Sequence, residues 1–197
     1  MFVYNKKPET LPKFLTKKEV SKFFNAFTKC SYHERFYCSL FKTMYYSGMR
    51  ISEAINLKIY DINWKTEQIL IRDTKNGTEH LAVLHPALKS ILEKWIKYLT
   101  KQFPNTPYLF PTFNRHPLSS CGLARKYFKK KLKKAGLNEF YHPHSLRHSF
   151  AIHLLNKGTD IRLISQLLNH KNINSTMVYT YCATENLLNE VKKLGVV

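Results

Sequence analysis

Apolar residues recur at helical spacing along most of the chain. Thr16 with Glu19 three residues later is a capping-box signature, and it begins a segment that carries Val20, Phe23 and Phe27 on one face. The same periodicity predicts further helices over residues 32–47, 51–57, 86–100, 119–135, 143–158 and 160–168, a short helix from about 175, and an amphipathic helix over 184–194.

The periodicity changes to strand alternation in one region only. Residues 68–72 and 79–84 read as two strands, and Asn76-Gly77 between them favours a tight hairpin turn because both residues accept positive φ. The predicted fold class is therefore mainly α with a small antiparallel β-sheet (α+β). The predicted organisation is an N-terminal arm over 1–15, one folded domain over 16–182 and a C-terminal helix over 183–197.

Charge indicates the class of partner. Lys and Arg number 32 and Asp and Glu number 13, so the formal net charge is 32 − 13 = +19. Such an excess in a chain of this length indicates a polyanionic partner, and nucleic acid is the first candidate. A membrane surface is the alternative, but no apolar run approaches the roughly 20 residues of a membrane span. The first residues lack the apolar stretch of a signal peptide, and the scattered cysteines are typical of free thiols in a reducing cytoplasm.

Two pairs of residues share a spacing of three on predicted helices, so each pair faces one side. Arg50 pairs with Glu53, and His144 pairs with Arg147 at a helix start, where an anion is favoured. An arginine fork fits two phosphate oxygens at once. A surface ion pair and a solvated basic helix end are the alternatives. Zinc binding by His144 with His148 lacks the Glu of an H-E-x-x-H motif and a third ligand, so no metal is predicted.

Three further residues complete the candidate set. Lys75 precedes the Asn76-Gly77 turn, His170 ends a Leu-Leu-Asn-His segment, and Tyr179 lies within Thr-Met-Val-Tyr-Thr. Considered alone, a turn lysine is usually solvated, and one of 12 tyrosines usually belongs to the core or the surface. Tyr181 is the rival phenol, although two residues on a helix differ in direction by roughly 200°.

These segments together resemble the tyrosine recombinase (phage integrase) family. Ser-Gly-Met-Arg-Ile-Ser-Glu over residues 47–53 is similar to its first box, and residues 142–155 are similar to its second, H-x-L-R-H-x-F-A-x-H-L-L. The intervals of 23 residues from Arg147 to His170 and of 9 from His170 to Tyr179 also resemble the family. Asn169 replaces the usual glycine, and both residues tolerate the left-handed conformation that ends a helix.

The resemblance implies a site-specific DNA recombinase in which Tyr179 attacks a phosphodiester and forms a 3′-phosphotyrosine. It implies that cationic groups bind the phosphate oxygens, and that these are Arg50, Arg147 and His170. It implies that His144 binds the phosphate or relays the tyrosine proton, that Lys75 protonates the leaving 5′ oxygen, and that Glu53 and His148 support the site. No metal and no other cofactor are expected.

The resemblance also implies the partners. Double-stranded DNA recombination sites are expected, together with self-association to a tetramer on DNA through the C-terminal helix and accessory DNA-bending proteins. The location expected is the cytoplasm, close to the nucleoid. The basic helix over 119–135 is the expected DNA-backbone surface, with Arg125, Lys126, Lys129, Lys130, Lys131, Lys133 and Lys134.

Three alternatives stay open at this point. Type IB topoisomerases share the cation set, and a DNA-binding regulator or accessory protein would bend DNA without cutting it. Most family members also place a core-binding domain of about a hundred residues before the first box. The chain therefore resembles either the short single-domain members, such as the fimbrial phase-variation invertases, or a catalytic fragment of a longer integrase.

Overall fold

The computed structural model describes residues 11–28, 30–73, 78–118, 120–170 and 172–191, with side chains described as far as Ala183. Eight helices lie in these ranges: α1 (Lys17–Asn25), α2 (Tyr32–Ser47), α3 (Ile51–Ile55), α4 (Pro86–Gln102), α5 (Cys121–Lys134), α6 (Pro143–Leu155), α7 (Ile161–Leu167) and α8 (Asn174–Val191). Three antiparallel strands, β1 (Ile62–Asn63), β2 (Gln68–Asp73) and β3 (Thr78–Val83), form one sheet in that order. The predicted fold class is confirmed.

Local signals fix the ends of the first two helices. The hydroxyl of Thr16 accepts a hydrogen bond from the Glu19 amide at 3.2 Å, and the Thr16 amide donates to the Glu19 carboxylate at 2.8 Å. The predicted capping box is therefore present, and it satisfies amides that the first turn of α1 would leave unpaired. Helix α2 ends at Ser47, because the next residue, Gly48, adopts φ of 70° in the left-handed region, where the helix cannot continue.

Helix α2 is the central element, and it packs against both α4 and α6. Its buried Phe41 meets two rings from other helices, Phe23 of α1 at 6.0 Å and Phe128 of α5 at 5.2 Å between centroids. A second, smaller cluster joins α6, α7 and α8 through Ala151, Ile152, Ile164, Leu168, Tyr179 and Cys182. These two clusters hold the start of α6 between the end of α2 and the start of α8.

The sheet lies beside α3 and presents one face to the core. Ile69 and Ile71 of β2 are buried, and Ile69 pairs with the buried Ala82 of β3. Leu81 and Val83 alternate to the outer face, where each is more than half exposed. The two predicted strands are confirmed. The two-residue β1 was not predicted, because its pattern is too short to show a period.

The structure corrects two predicted helix bounds. Helix α8 is continuous from Asn174 to Val191, whereas the sequence analysis divided this segment into a short helix and a separate one from 184. Helix α6 ends at Leu155, before Gly158, which has φ of 85°. The predicted Asn76-Gly77 turn, residues 1–10 of the predicted arm and residues 192–197 lie outside the described residues. The division into arm, domain and C-terminal helix stays a prediction.

Candidate active site

The turn between α2 and α3 places Arg50 at the start of α3. The Arg50 amide donates to one carboxylate oxygen of Glu53 at 2.6 Å, and Arg50 Nη1 donates to the other at 2.7 Å. Glu53 is buried, while the Arg50 side chain is 38% exposed. The predicted contact is present, and it leaves the remaining guanidinium donors of Arg50 on the accessible side.

Arg147 lies deeper, on the first turns of α6, with 1% of its surface exposed. Its Nη1 donates to the Gly48 carbonyl at 2.8 Å and its Nη2 donates to the Leu168 carbonyl at 2.7 Å. Those carbonyls end α2 and α7, where helix termini attract a cation. The Glu53 carboxylate stands 4.0 Å from Nη1. Within the described part of the chain, Arg147 Nε is buried and has no hydrogen-bond partner.

His170 follows α7 at a left-handed turn. Asn169 has φ of 48°, in agreement with the prediction that it takes the conformation usually given to glycine. The His170 Nδ1 atom lies 2.7 Å from the hydroxyl of Thr176 on α8. Thr176 is three residues before Tyr179, so the same helix face holds the histidine partner and the phenol.

Tyr179 is buried, with 2% of its surface exposed. Its hydroxyl lies 3.0 Å from Nδ1 of His148, which is on α6 immediately after Arg147. His144 stands one turn earlier on α6, and its ring meets the His148 ring edge-on, with centroids 4.7 Å apart. Among the described residues, the hydrogen-bond partner of the phenol is therefore His148. The sequence analysis had given His144 either phosphate binding or the relay of the tyrosine proton.

The arginines and burial keep the site histidines neutral. Burial, followed by the Arg147 charge, lowers the pKa of His144 to about 4 and that of His170 to about 4. Burial, followed by the neighbouring His144, lowers the pKa of His148 to about 3. Burial also raises the pKa of Tyr179, against the opposing effect of Arg147. Among the described residues of the site, the positive charge at neutral pH therefore comes from Arg50 and Arg147, and the tyrosine is a phenol.

The burial of Arg147 has an electrostatic cost. Desolvation, followed by the charge of Arg50, lowers the pKa of Arg147 to about 10, so the guanidinium is still protonated at neutral pH. Arg50 and Arg147 share the single carboxylate of Glu53, so the two arginines keep a net positive charge that favours an incoming anion. The site can therefore bind a phosphodiester beside a phenol, which is the arrangement that tyrosine nucleophiles require.

Comparison with known proteins agrees with this geometry. Residues 13–186 match the sequence profile of the phage integrase family. The chain belongs to the phage integrase family. Tyrosine recombinase XerA of Pyrococcus horikoshii is 36% identical over 192 residues, and tyrosine recombinase XerC of Halalkalibacterium halodurans is 32% identical over 183 residues. These matches cover 94% and 90% of this chain but 62% and 60% of those relatives. This member of the family thus spans about six-tenths of the length of these relatives.

Solved structures of phage integrase family members share the fold. The crystal structure of XerA recombinase superposes with a TM-score of 0.79 at 25% identity, over 93% of this chain and 66% of that one. XerH recombinase, bound to a palindromic difH substrate in a post-cleavage complex, gives a TM-score of 0.79 at 27% identity, over 92% of this chain and 53% of that one. The helices and sheet described above are therefore those of a tyrosine recombinase catalytic domain.

The basic helix of this recombinase domain has two kinds of lysine. Six of the seven residues predicted for the DNA-backbone surface reach the surface: Lys129 is half-buried, and the exposed ones are Arg125, Lys126, Lys130, Lys133 and Lys134. Lys131 is buried, and its ammonium pairs with Glu34 and donates to the Ala26 carbonyl at 3.2 Å. The inclusion of Lys131 in the DNA-backbone surface was therefore wrong, because this lysine belongs to the interior.

The sequence analysis missed several contacts that build the candidate site. The Gly48 and Leu168 carbonyls hold Arg147, and Thr176 holds His170, while the contact between His148 and Tyr179 was not foreseen. A partial signal existed, since His148 lies four residues after His144 and shares its helix face. Lys75 lies outside the described residues, so its role in protonating the leaving oxygen stays a prediction.

Within the described ranges, no three His, Cys, Asp or Glu side chains are grouped in an arrangement suited to a metal ion. Among the described helices, none combines the length and the apolar character that crossing a bilayer requires.

Proposed function

We propose that the protein is a site-specific DNA recombinase that cleaves and rejoins DNA through a 3′-phosphotyrosine formed by Tyr179. The observation that carries the proposal is the convergence of Arg147 and His148, consecutive residues of α6, on the phenol of α8. Burying an arginine whose Nε lacks a hydrogen-bond partner among the described residues costs free energy, and a purely structural role offers nothing to offset it. A phosphate oxygen would supply the missing hydrogen-bond acceptor.

The two arginines have different roles toward the phosphate. Arg50 is accessible and is oriented by Glu53, so it meets the phosphodiester as DNA arrives. Arg147 is preorganised by two backbone carbonyls, so it stabilises the charge that grows on the non-bridging oxygens without reorganisation in the transition state. His170, which Thr176 orients, supplies a further ring nitrogen to the same phosphate.

The covalent step conserves the energy of the phosphodiester. The Tyr179 oxygen bonds to phosphorus, the bond from phosphorus to the 5′ oxygen breaks, and that oxygen takes a proton from a general acid. Lys75 is the sequence-based candidate for this acid. A 5′ hydroxyl from a second strand reverses the step and rejoins the DNA. Cytoplasmic action at paired DNA sites, assembly as a tetramer and help from DNA-bending proteins are the parts of the proposal that rest on the family resemblance.

Substitution of the nucleophile tests the proposal directly. Tyr179→Phe is expected to bind DNA as the wild type does and to form no covalent adduct, because only the attacking oxygen is removed. The assay uses nicked duplexes selected from a randomised library by binding to Tyr179→Phe, and it detects a denaturation-resistant adduct of protein and DNA. Tyr181→Phe is the matched control and should form the adduct. An adduct with Tyr179→Phe, or none with the wild-type protein on duplexes that it binds, would reject the proposal and favour a DNA-binding regulator.

A further inference from the structure

Helix α6 carries two histidines that contact tyrosines in nearly the same way. His148 Nδ1 lies 3.0 Å from the Tyr179 hydroxyl, with ring centroids 5.7 Å apart. His153 Nδ1 lies 3.0 Å from the Tyr45 hydroxyl, with centroids 5.9 Å apart. The two pairs therefore share a helix, a ring nitrogen and a distance, and they differ in what surrounds them.

The surroundings separate the two pairs. The charged groups that act on His153 are the lysines Lys17 and Lys157, which lie outside the candidate active site. His148 faces His144 and His142 on its own helix and at its cap, Arg147 beside it, and His170 from the segment that follows α7. Tyr179 is also acted on by Arg147 and Arg50. Only the first of these two phenols therefore shares its surroundings with the arginines that would bind a phosphate.

We propose that His148 is the catalytic base that receives the Tyr179 proton as the phenol attacks the phosphodiester. The proposal rests on the recombinase function proposed above. The phenol proton moves to Nδ1, the bond from the Tyr179 oxygen to phosphorus forms, and the bond from phosphorus to the 5′ oxygen breaks. The imidazolium that results returns its proton to the Tyr179 oxygen when a 5′ hydroxyl attacks in the rejoining step.

The electrostatics of the site link this transfer to the presence of DNA. Without DNA, burial and the neighbouring His144 keep His148 neutral, so Nδ1 has a lone pair in the tautomer that carries its proton on Nε2. The phenol keeps its own proton, since burial raises the pKa of Tyr179. A phosphodiester adds a negative charge beside the ring and raises the proton affinity of His148. The base therefore gains strength when there is a phosphate to attack.

His144 does not compete for this role in the structure. The His144 ring packs edge-on against the His148 ring, with centroids 4.7 Å apart. The His148 ring is therefore the one that contacts both His144 and the Tyr179 phenol. The sequence predicted either phosphate binding or the proton relay for His144, and our proposal assigns the relay to His148, one helical turn along α6. His144 is left to bind the phosphate.

Single-turnover cleavage of the selected nicked duplexes separates a base from a packing residue. His148→Gln is expected to bind DNA and to cleave roughly 10²–10⁴-fold more slowly, which is the usual contribution of general base catalysis. His153→Gln removes the matched histidine from the same helix and should cleave at a rate close to that of the wild type. Thermal unfolding of both variants shows whether each one is folded at the assay temperature.

Chemical rescue then tests the proton transfer itself. Added imidazole should restore part of the cleavage by His148→Gly, in proportion to the neutral imidazole, and more basic methylimidazoles should restore more. A fluorotyrosine at position 179 has a more acidic phenol, so it should shrink the deficit of His148→Gln. A residue that merely positions the ring would show neither response.

Each possible result either supports or overturns the proposed role of His148 as the base. Cleavage by folded His148→Gln within a few-fold of the wild type would overturn the proposal. So would a large deficit that neither imidazole nor fluorotyrosine reduces, since His148 would then be a positioning residue. Absence of an adduct with the wild-type protein would remove the recombinase function and this inference together, whereas a normal wild-type adduct with an unaffected His148→Gln would remove this inference alone.

Discussion

Two cations are buried almost completely in the described part of the chain, and they are held in different ways. Lys131 on α5 is 2% exposed, and its ammonium pairs with Glu34 and lies 4.6 Å from the centroid of the Phe27 ring. Arg147 on α6 is 1% exposed, but its two hydrogen bonds go to backbone carbonyls, and the Glu53 carboxylate is 4.0 Å away. One charge is neutralised by a carboxylate in contact, and the other is not.

The groups around Lys131 and Arg147 indicate the role of each buried charge. Burial alone would raise the pKa of Glu34, but its hydrogen bonds with Lys131 and Tyr127 outweigh that effect and hold the pKa below its ordinary value. The Glu34 carboxylate is therefore charged, and its contact with Lys131 ties α5 to α2. At Arg147, burial and the charge of Arg50 act together to lower the pKa, which is the pattern of a site prepared for an anion. Burial of a cation is thus ambiguous until its partners are known.

The largest effect should come from breaking the Lys131 pair. Lys131→Met leaves the buried Glu34 carboxylate without its cation, and we expect a loss of about 3–5 kcal/mol in the free energy of unfolding. Adding Glu34→Gln should recover part of the loss. Urea unfolding measures both, with the exposed neighbour Lys130→Met as the control. Equal midpoints for Lys131→Met and Lys130→Met would show that the pair contributes nothing to stability.

The next largest effect should fall on activity. Arg147→Lys keeps the charge but loses the planar fork, so we expect cleavage of the selected nicked duplexes to slow roughly 10²–10³-fold. Its midpoint in urea should move less than that of Lys131→Met, because Glu53 keeps Arg50 as its partner. Arg35→Lys, on the exposed side of α2, is the control. Turnover by Arg147→Lys close to that of the wild type would contradict the bidentate role.

A smaller effect should appear on acidification, and the sign follows from the histidines around Arg147. The pKa values of His144 and His170 are about 4 in the folded protein and ~6.5 in the unfolded chain. At pH values between these two, the unfolded chain therefore binds more protons than the folded protein. Stability should therefore be full above about pH 6.5 and fall as pH drops toward 4. The melting temperature between pH 7 and pH 5 measures this, and His144→Gln should flatten the slope. A slope in His144→Gln equal to that of the exposed control His33→Gln would contradict the assignment.

The smallest effect concerns the exposed lysines that flank Lys131. Each phosphate contact adds about −0.9 to the slope of log K against log salt. Changing Lys126, Lys130 and Lys133 to Gln should make the slope for duplex DNA shallower, whereas Lys131→Met should leave it as in the wild type. Fluorescence anisotropy over a salt series measures the slopes. If the triple variant keeps the wild-type slope, these lysines are only a solvated surface.

Much of the fold could be predicted from local sequence signals. The capping box at Thr16, the positive φ at Gly48 and Asn169, and the alternation in β2 and β3 all depend on a few neighbouring residues. The family boxes likewise identified Arg50, Arg147, His170 and Tyr179 from their motifs and spacing. The continuity of α8 could also have been predicted, because no Gly or Pro interrupts residues 174–191.

The remaining features depend on partners far away in the chain. Lys131 looks like its basic neighbours, and it becomes an interior residue only because Glu34, 97 positions away, meets it. His148 likewise meets Tyr179 across 31 positions. Helical periodicity gives the face of a side chain but not the identity of the residue opposite, so tertiary contacts decided both roles.

Gly48 has a consequence for anyone who diversifies this protein in the laboratory. A Cβ at this position would lie 2.6 Å from the Phe150 ring and 3.0 Å from Leu168, at φ of 70°. The same residue offers its carbonyl to Arg147. We therefore expect randomisation of position 48 to give mostly inactive variants, so a mutant library should keep this glycine unchanged.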